Sequence, residues 1–336
     1  MIMPLVSYIV PIYNSMPYLE KCLESLRRQT IQDIEIICVN DCSPDNSREF
    51  VENVCSIDSR VKLINHDGNK RQGGAWNSGV RLATGTFLSF VDADDWVDVE
   101  YSSIVLSHID SDIICAEKYF QGNSVTDNIN NKRLIECNGN ICKYQLLNGL
   151  SFITNFYRRS FITNLGFEFL ENNMYQDFIT SLLYFKTKKI EFYTQPGYHY
   201  RTDNISIQRS MNQNGFWGRL EVAKLERRLL LEIIETEGYL QEIDYHFYIL
   251  FYRNTLTRAF FGYSTINWDM VNNVMEDTEK IVPNITLNKY YKNRFRDYSC
   301  LMRLPIIMFE HLSFPLVNAF HKIYMMARKV LKWNKR

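Results

Sequence analysis

Residues 6–14 read VSYIVPIYN, an apolar run that ends in polar side chains, and this pattern recurs through the first third of the chain. Similar apolar runs follow at residues 34–39, 61–64, 86–91 and 112–115. A helix that starts at Pro17 is indicated by the i, i+3, i+4, i+7 spacing of Leu19, Cys22, Leu23 and Leu26. A second helix is predicted over residues 74–83. Strands that alternate with helices predict an α/β fold built on a parallel sheet.

The rest of the chain is predicted to change character twice. Residues 120–140 are rich in Asn, Asp and Gly, which predicts a loop or a domain edge. Beyond it, the patterns predict a helix at 176–188, strands at 190–193 and 197–200, and long helices at 216–236, 239–261 and 270–280. These changes divide the chain into residues 1–120, 121–210 and 211–336, the last a helical extension.

The charge of the chain is zero overall but unevenly distributed. The 38 basic and 38 acidic residues balance, yet residues 289–336 carry eleven Lys and Arg against two acids, a net charge of +9. The body is therefore mildly acidic, which argues against a nucleic-acid-binding protein. The basic C-terminal segment needs a separate explanation.

The cysteines and the apolar segments bear on location. The eight cysteines are scattered without a C-x-x-C pair, which favours reduced, buried thiols in a cytoplasmic protein. No basic residue precedes the apolar N-terminus, which argues against a cleaved signal. Residues 304–327, the most apolar late window, are interrupted by Pro305, Glu310, Pro315 and Lys322, so no membrane-spanning helix is predicted.

Acidic and amide side chains follow three of the predicted strands. Asn14 follows the first, Asp41 and Asp45 follow the second, and Asp92-Ala93-Asp94-Asp95 follows the fourth. Alone, each acidic segment is better explained by a turn or a helix cap. Together they gather at the carboxyl edge of the sheet, where ligands bind in open α/β folds. Clustered carboxylates there predict a divalent cation that holds a diphosphate.

Four segments in this order resemble the family 2 glycosyltransferases of the GT-A fold: residues 6–14, 39–47 (VNDCSPDNS), 73–79 (GGAWNSG) and 90–96 (FVDADDW). The resemblance is close over the first 120 residues and looser to residue 210. It implies an inverting glycosyltransferase that depends on Mn²⁺ or Mg²⁺. The sugar would pass from a nucleotide donor, most simply a UDP-sugar, to a glycan hydroxyl in surface polysaccharide synthesis. The glycan acceptor is expected to include chains carried on a polyprenyl diphosphate.

The same resemblance implies a set of functional residues. The donor nucleotide would be bound by Pro11, Tyr13, Asn14, Asp41, Lys70, Arg71, Asn77, Asp92 and Arg201. Asp94 would be the metal ligand. His199, in the segment YHYR at 198–201, is a second candidate metal ligand or a phosphate hydrogen-bond donor; the alternative is a histidine packed among aromatic residues.

Asp177 is the candidate catalytic base. Residues 175–178 read YQDF and resemble the Glu-Asp pair of inverting members, with Gln176 in place of the Glu. The alternative is a carboxylate that only stabilises the start of a helix. A second departure is Trp76, where the family has Arg, and a third is Asn40-Asp41-Cys42-Ser43 in place of Asp-Asp-Gly-Ser. The first two departures favour a rival hypothesis, a nucleotide-sugar-binding protein without turnover.

The basic C-terminal segment has two interpretations that the sequence leaves open. Lys and Arg interleaved with bulky apolar residues at 302–333 suit a helix lying on an anionic membrane, here the inner face of the cell membrane. The same pattern suits an apolar face packed on the body or on a second copy in a homo-oligomer.

Overall fold

The computed structural model describes residues 3–173, 175–202, 213–262 and 265–333. By their internal contacts the residues group into two compact units, Met1–Val222 and Ala223–Arg336. The first unit contains all of the described strands, and the second is helical.

Eleven strands are present in the described part of the chain: β1 (Val6–Ile12), β2 (Ile34–Asn40), β3 (Val61–Asn65), β4 (Phe87–Phe90), β5 (Trp96–Val97), β6 (Ile113–Ala116), β7 (Lys118–Gln121), β8 (Ser124–Asp127), β9 (Phe156–Arg158), β10 (Ile190–Tyr193) and β11 (Tyr198–Tyr200). Seven of them form one sheet in the order β10-β6-β9-β4-β1-β2-β3. Within it β9 runs antiparallel to β4 and β6, and the other pairs are parallel. The remaining strands form a small sheet in the order β5-β11-β7-β8.

The helices of the first unit are α1 (Met16–Arg27), α2 (Ser47–Ile57), α3 (Arg71–Leu82), α4 (Asn131–Glu136), α5 (Ile141–Asn148), α6 (Arg159–Asn164) and α7 (Ser181–Lys186). A further helix, α8 (Gln213–Glu232), continues into the second unit. The others there are α9 (Leu240–Phe247), α10 (Asn254–Phe261), α11 (Trp268–Ile281), α12 (Cys300–His311) and α13 (Phe314–Trp333). None of the described helices is long and apolar enough to cross a membrane.

The large sheet is buried on both faces. Along β1, Tyr8 and Val10 pack into one cluster with Leu19 and Leu23 of α1, while Ile9 between them packs into the other with Trp76 of α3. Side chains of a strand alternate between faces, so continuous apolar runs are what a sheet covered by helices on both sides requires. This arrangement leaves the carboxyl ends of the parallel strands as the edge open to a ligand.

The predicted α/β class is confirmed, and the apolar runs form β1, β2, β3, β4 and β6. The predicted loop at 120–140 was wrong, because this segment contains the β7–β8 hairpin and α4. Polar turn residues such as Gly122 (φ +60°) separate short strands there rather than a long loop. The helix predicted at 176–188 begins as a 3₁₀ turn, Phe178–Thr180, before α7.

Candidate active site

Three residues with left-handed backbone surround the carboxyl edge of the large sheet. Asn14 (φ 54°) follows β1, Cys42 (φ 57°) follows β2, and Arg71 (φ 64°) opens α3. The left-handed conformation is unfavourable for residues other than glycine, and such strain gathers at functional sites. Cys42 occupies the position where the resembled family has glycine. The chain therefore keeps the left-handed turn without glycine, the residue that adopts this conformation at the lowest cost.

Asp41 is buried at the end of β2 and its orientation is fixed by its neighbours. Its Oδ1 accepts hydrogen bonds from the Lys70 amide (2.8 Å) and lies 2.8 Å from His66 Nδ1. His66 Nε2 lies 2.9 Å from Ser78 Oγ on α3. Both ring nitrogens of His66 therefore have a hydrogen-bonding partner, Asp41 on one side and Ser78 on the other. One carboxylate oxygen of Asp41 is thus occupied by the protein.

The carboxylates of Asp92, Asp94 and Asp95 form a compact acidic group after β4. Each offers an oxygen, and these atoms all lie within 4.8 Å of one another. Asp95 is held from the small sheet, because its Oδ2 accepts from the Tyr198 hydroxyl (2.7 Å) and its Oδ1 from the Arg201 amide (2.8 Å). Arg201 also donates from Nε to the Asp94 carbonyl (2.6 Å), so β11 and the segment after it pin the acidic group in place.

The proximity of these carboxylates shows in their pKa values. Burial raises the pKa of Asp92 well above the usual range, and the charges of Asp95, Asp94 and Asp177 raise it further, against a hydrogen bond from Gln72. Burial and the charge of Asp94 raise the pKa of Asp95 to about 7. Three carboxylates held this close repel one another unless a cation lies among them. Hard divalent cations prefer carboxylate oxygens, so this donor set fits Mn²⁺ or Mg²⁺.

Asp177 belongs to the same neighbourhood, since its charge raises the pKa of Asp92. Its side chain is exposed, although Tyr175 and Gln176 before it are buried. The turn that follows, Phe178–Thr180, is a 3₁₀ helix, and among its described contacts the Asp177 carboxylate does not cap it. Asp177 is therefore an exposed carboxylate in the neighbourhood of the acidic group.

Two residues of the glycine-rich segment, Trp76 and Asn77, are buried in the interior of the first unit. Trp76 is buried among Phe169, Phe152 and Phe90, with ring centroids 4.9, 5.2 and 5.4 Å away. Asn77 donates to the Phe169 carbonyl (2.9 Å) and accepts from the Phe169 amide (2.8 Å). Asn77, a predicted donor contact, thus holds the backbone of Phe169, in the segment that precedes Asp177, by two hydrogen bonds.

His199 is held by aromatic neighbours and by one carboxylate. Its ring stacks between Phe120 (4.3 Å between centroids) and Trp96 (5.0 Å), and its Nε2 lies 2.7 Å from Asp98 Oδ1. It is not one of the three residues whose ligand atoms converge. These contacts match the alternative of a histidine packed among aromatic residues.

The other predicted donor contacts line the same edge of the sheet. Pro11 is partly buried at the end of β1, while Tyr13 and Asn14 are exposed beyond it, and the Asn14 amide donates to Ser43 Oγ (2.7 Å). Lys70 is partly exposed and Arg71 exposed at the start of α3. The edge therefore presents both acidic and basic groups.

Four residues that contact Asp41 or the acidic group were not predicted as functional: His66 at Asp41, and Gln72, Asp95 and Tyr198 at the acidic group. Asp95 and Tyr198 belong to the motif segments 90–96 and 198–201, so the sequence carried a signal for both of them. His66 and Gln72 carry no sequence signal, because their contacts form only when β3 and α3 pack beside β2 and β4.

Comparison with known proteins identifies the family. The family model described as glycosyl transferase family 2 matches residues 7–166. EpsH of Bacillus subtilis (strain 168), named as a glycosyltransferase, is 31% identical over 255 residues, which cover 72% of this chain and 73% of EpsH. EpsJ of the same organism, also named as a glycosyltransferase, is 50% identical over 94 residues, 28% of this chain and 27% of EpsJ.

A solved structure shares the fold. The crystal structure of TarS 1–349 from S. aureus in complex with UDP-GlcNAc aligns with a TM-score of 0.66 at 21% identity, covering 90% of this chain and 88% of that one. This similarity supports the GT-A fold, while the sequence relatives support the activity. The chain therefore belongs to glycosyltransferase family 2 and is a glycosyltransferase of the GT-A fold.

Proposed function

We propose that the chain transfers a sugar from a UDP-sugar to a glycan hydroxyl, with inversion at the anomeric carbon and with Mn²⁺ or Mg²⁺ bound. The observation that carries this proposal is the acidic group (Asp92, Asp94, Asp95), whose ligand atoms all lie within 4.8 Å of one another and where the charge of Asp177 raises the pKa of Asp92. When bound among Asp92, Asp94 and Asp95, the cation supplies the positive charge that a departing diphosphate needs.

The remaining roles follow from the residues themselves. Asp41 keeps one oxygen occupied by Lys70 and His66, and its other oxygen is proposed to accept the imide N–H of uracil. The guanidinium of Arg201, beside Asp94, is proposed to bind phosphate oxygens. Asp177 is proposed to accept the proton of the attacking hydroxyl. TarS was solved with UDP-GlcNAc, which agrees with a UDP-linked donor.

The test is turnover by Asp177→Asn compared with the unchanged chain. Loss of a general base lowers kcat by about 10² to 10⁴, while donor affinity stays nearly the same because the base contacts the acceptor. The donor is first found by thermal shift over a panel of nucleotide sugars with Mn²⁺, and turnover is read as release of UDP. A variant that turns over normally would remove Asp177 from the chemistry.

The acceptor is proposed to be a surface glycan whose lipid carrier, a polyprenyl diphosphate, lies in an anionic membrane. The supporting feature is α13, where Leu316, Phe320, Ile323 and Met326 are all exposed. Their spacing puts them on one side of the helix, and Lys322 is exposed among them. An apolar stripe with a basic neighbour is suited to the surface of an anionic membrane.

Co-sedimentation with liposomes tests this part of the proposal. The full chain should bind vesicles that contain anionic lipid, should dissociate from them in high salt, and should not bind neutral vesicles. Phe320→Ser with Ile323→Ser should lose the binding. If the variant instead changes from dimer to monomer in size-exclusion chromatography and the unchanged chain ignores anionic vesicles, the stripe is a contact between two copies.

A further inference from the structure

Two glutamines connect the segment before Asp177 to the acidic group. Gln176 Nε2 donates to Gln72 Oε1 (2.6 Å), and Gln72 Nε2 donates to Asp92 Oδ1 (2.5 Å). Gln72 lies in the first turn of α3, and Gln176 immediately precedes Asp177. The two side chains thus form a chain of hydrogen bonds that ends on a carboxylate of the site.

The direction of this chain follows from chemistry. With a cation held at the acidic group, the Asp92 carboxylate is ionised and only accepts hydrogen bonds, so the observed orientation, in which Gln72 turns its amide NH₂ toward Asp92, is the one that fits the metal-bound site. Its carbonyl oxygen then faces Gln176, which must in turn present its own NH₂. In the orientation observed, both amide NH₂ groups point along the chain toward Asp92.

The orientation leaves one polar atom without a partner. Gln176 Oε1 is buried and accepts no hydrogen bond from any of the residues that the structure describes. Gln176 is only 4% exposed, and its Cβ would lie 2.9 Å from a side chain added at Gly73, so the residue has little room to turn. An unpaired buried acceptor destabilises a fold, so stability alone would favour an apolar side chain at this position.

We propose that Gln72 and Gln176 are positioning residues that hold one oxygen of Asp92 and turn the carboxylate toward the metal and the nucleotide. This inference rests on the proposed function. It also accounts for Gln176 where the family motif has Glu: in the metal-bound site an ionised Glu would face Gln72 Oε1, and turning Gln72 over would present its carbonyl to the ionised Asp92. Either orientation opposes two acceptors.

The test compares Gln176→Met, which removes the donor, with Gln176→Glu, which keeps the shape and reverses the polarity. Affinity for UDP with Mn²⁺, measured by calorimetry on the full chain, should weaken roughly fivefold in the Met variant and more than about tenfold in the Glu variant. Without ligand, the melting temperature of the Met variant should equal or exceed that of the unchanged chain, and the Glu variant should melt lower. Gln145→Met, at another buried glutamine with an unpartnered Oε1, is the matched control and should leave UDP affinity unchanged.

A double-mutant cycle with Gln72→Met guards against simple misfolding. Once Gln72 is gone, Gln176 has no path to Asp92, so the double variant should bind UDP no more weakly than Gln72→Met alone. Fully additive losses, or a Glu variant that binds and melts like the unchanged chain, would overturn the inference. If the unchanged chain shows no Mn²⁺-dependent UDP binding, the proposed function fails, and the melting temperature of Gln176→Met without ligand still decides whether the unpaired Gln176 Oε1 destabilises the fold.

Discussion

Replacing Cys42 by glycine should relieve the backbone strain at the end of β2. Cys42 has φ of 57°, a conformation that costs a residue with a side chain about 1–2 kcal/mol and glycine almost nothing. The change also removes a hydrogen bond from Cys42 Sγ to the His66 carbonyl (3.0 Å). Cys42→Ala loses the same sulfur contact but keeps the strain, so the two variants differ mainly in strain.

The expected difference is about 1 kcal/mol in favour of Cys42→Gly over Cys42→Ala, after the greater freedom of glycine in the unfolded chain is subtracted. For a unit of the size of Met1–Val222 this corresponds to about 2–4 °C in melting temperature. Thermal unfolding followed by circular dichroism, with and without UDP and Mn²⁺, measures it. An alanine variant as stable as the glycine variant would refute the view that this turn is strained.

Two further outcomes follow from buried contacts of the first unit. Trp76→Arg, which restores the residue of the family pattern, should lower the free energy of unfolding of the unit by about 3–5 kcal/mol and add no donor affinity. The reason is that the Trp76 side chain is enclosed by Phe90, Phe152 and Phe169. A folded variant with tighter UDP binding would contradict this. Burial raises the pKa of Asp45, but hydrogen bonds from Ser43, Ser47 and the Met16 amide outweigh it and lower the pKa to about 2. The stability that Asp45 contributes is therefore present above about pH 4 and lost toward pH 2. The difference in melting temperature between the unchanged chain and Asp45→Asn should narrow as the pH falls from about 4 to about 2. A difference that stays constant would contradict the lowered pKa.

The fold was predictable because its signals are local. Apolar runs such as residues 34–39 and 86–91 are too short for buried helices and lie between amphipathic segments, which leaves strands of a parallel sheet as the consistent solution. β9 was missed, since Phe156–Arg158 is only three residues long and takes its place between β4 and β6 through pairing alone. No periodicity develops in three residues.

The acidic group of the candidate site was predictable for a related reason. Asp92 and Asp94 directly follow a buried strand, and the carboxyl ends of parallel strands must share an edge. The partners of these acids were not predictable, because Gln72 and Tyr198 reach them from elements distant in sequence. For His199, the motif position suggested a metal ligand, but nothing in the sequence indicated that its ring stacks between Phe120 and Trp96.

Calorimetric titration of UDP in Mn²⁺ and in EDTA tests the central proposal, a metal-bound diphosphate at the acidic group, most directly. The unchanged chain and the control Asp110→Asn, at an exposed acid before β6, should bind UDP at least about tenfold more tightly with Mn²⁺. Asp94→Asn should bind equally weakly in both solutions, because the carboxylate that holds the cation is gone. The same Mn²⁺-dependent gain in Asp94→Asn as in the unchanged chain would contradict the account.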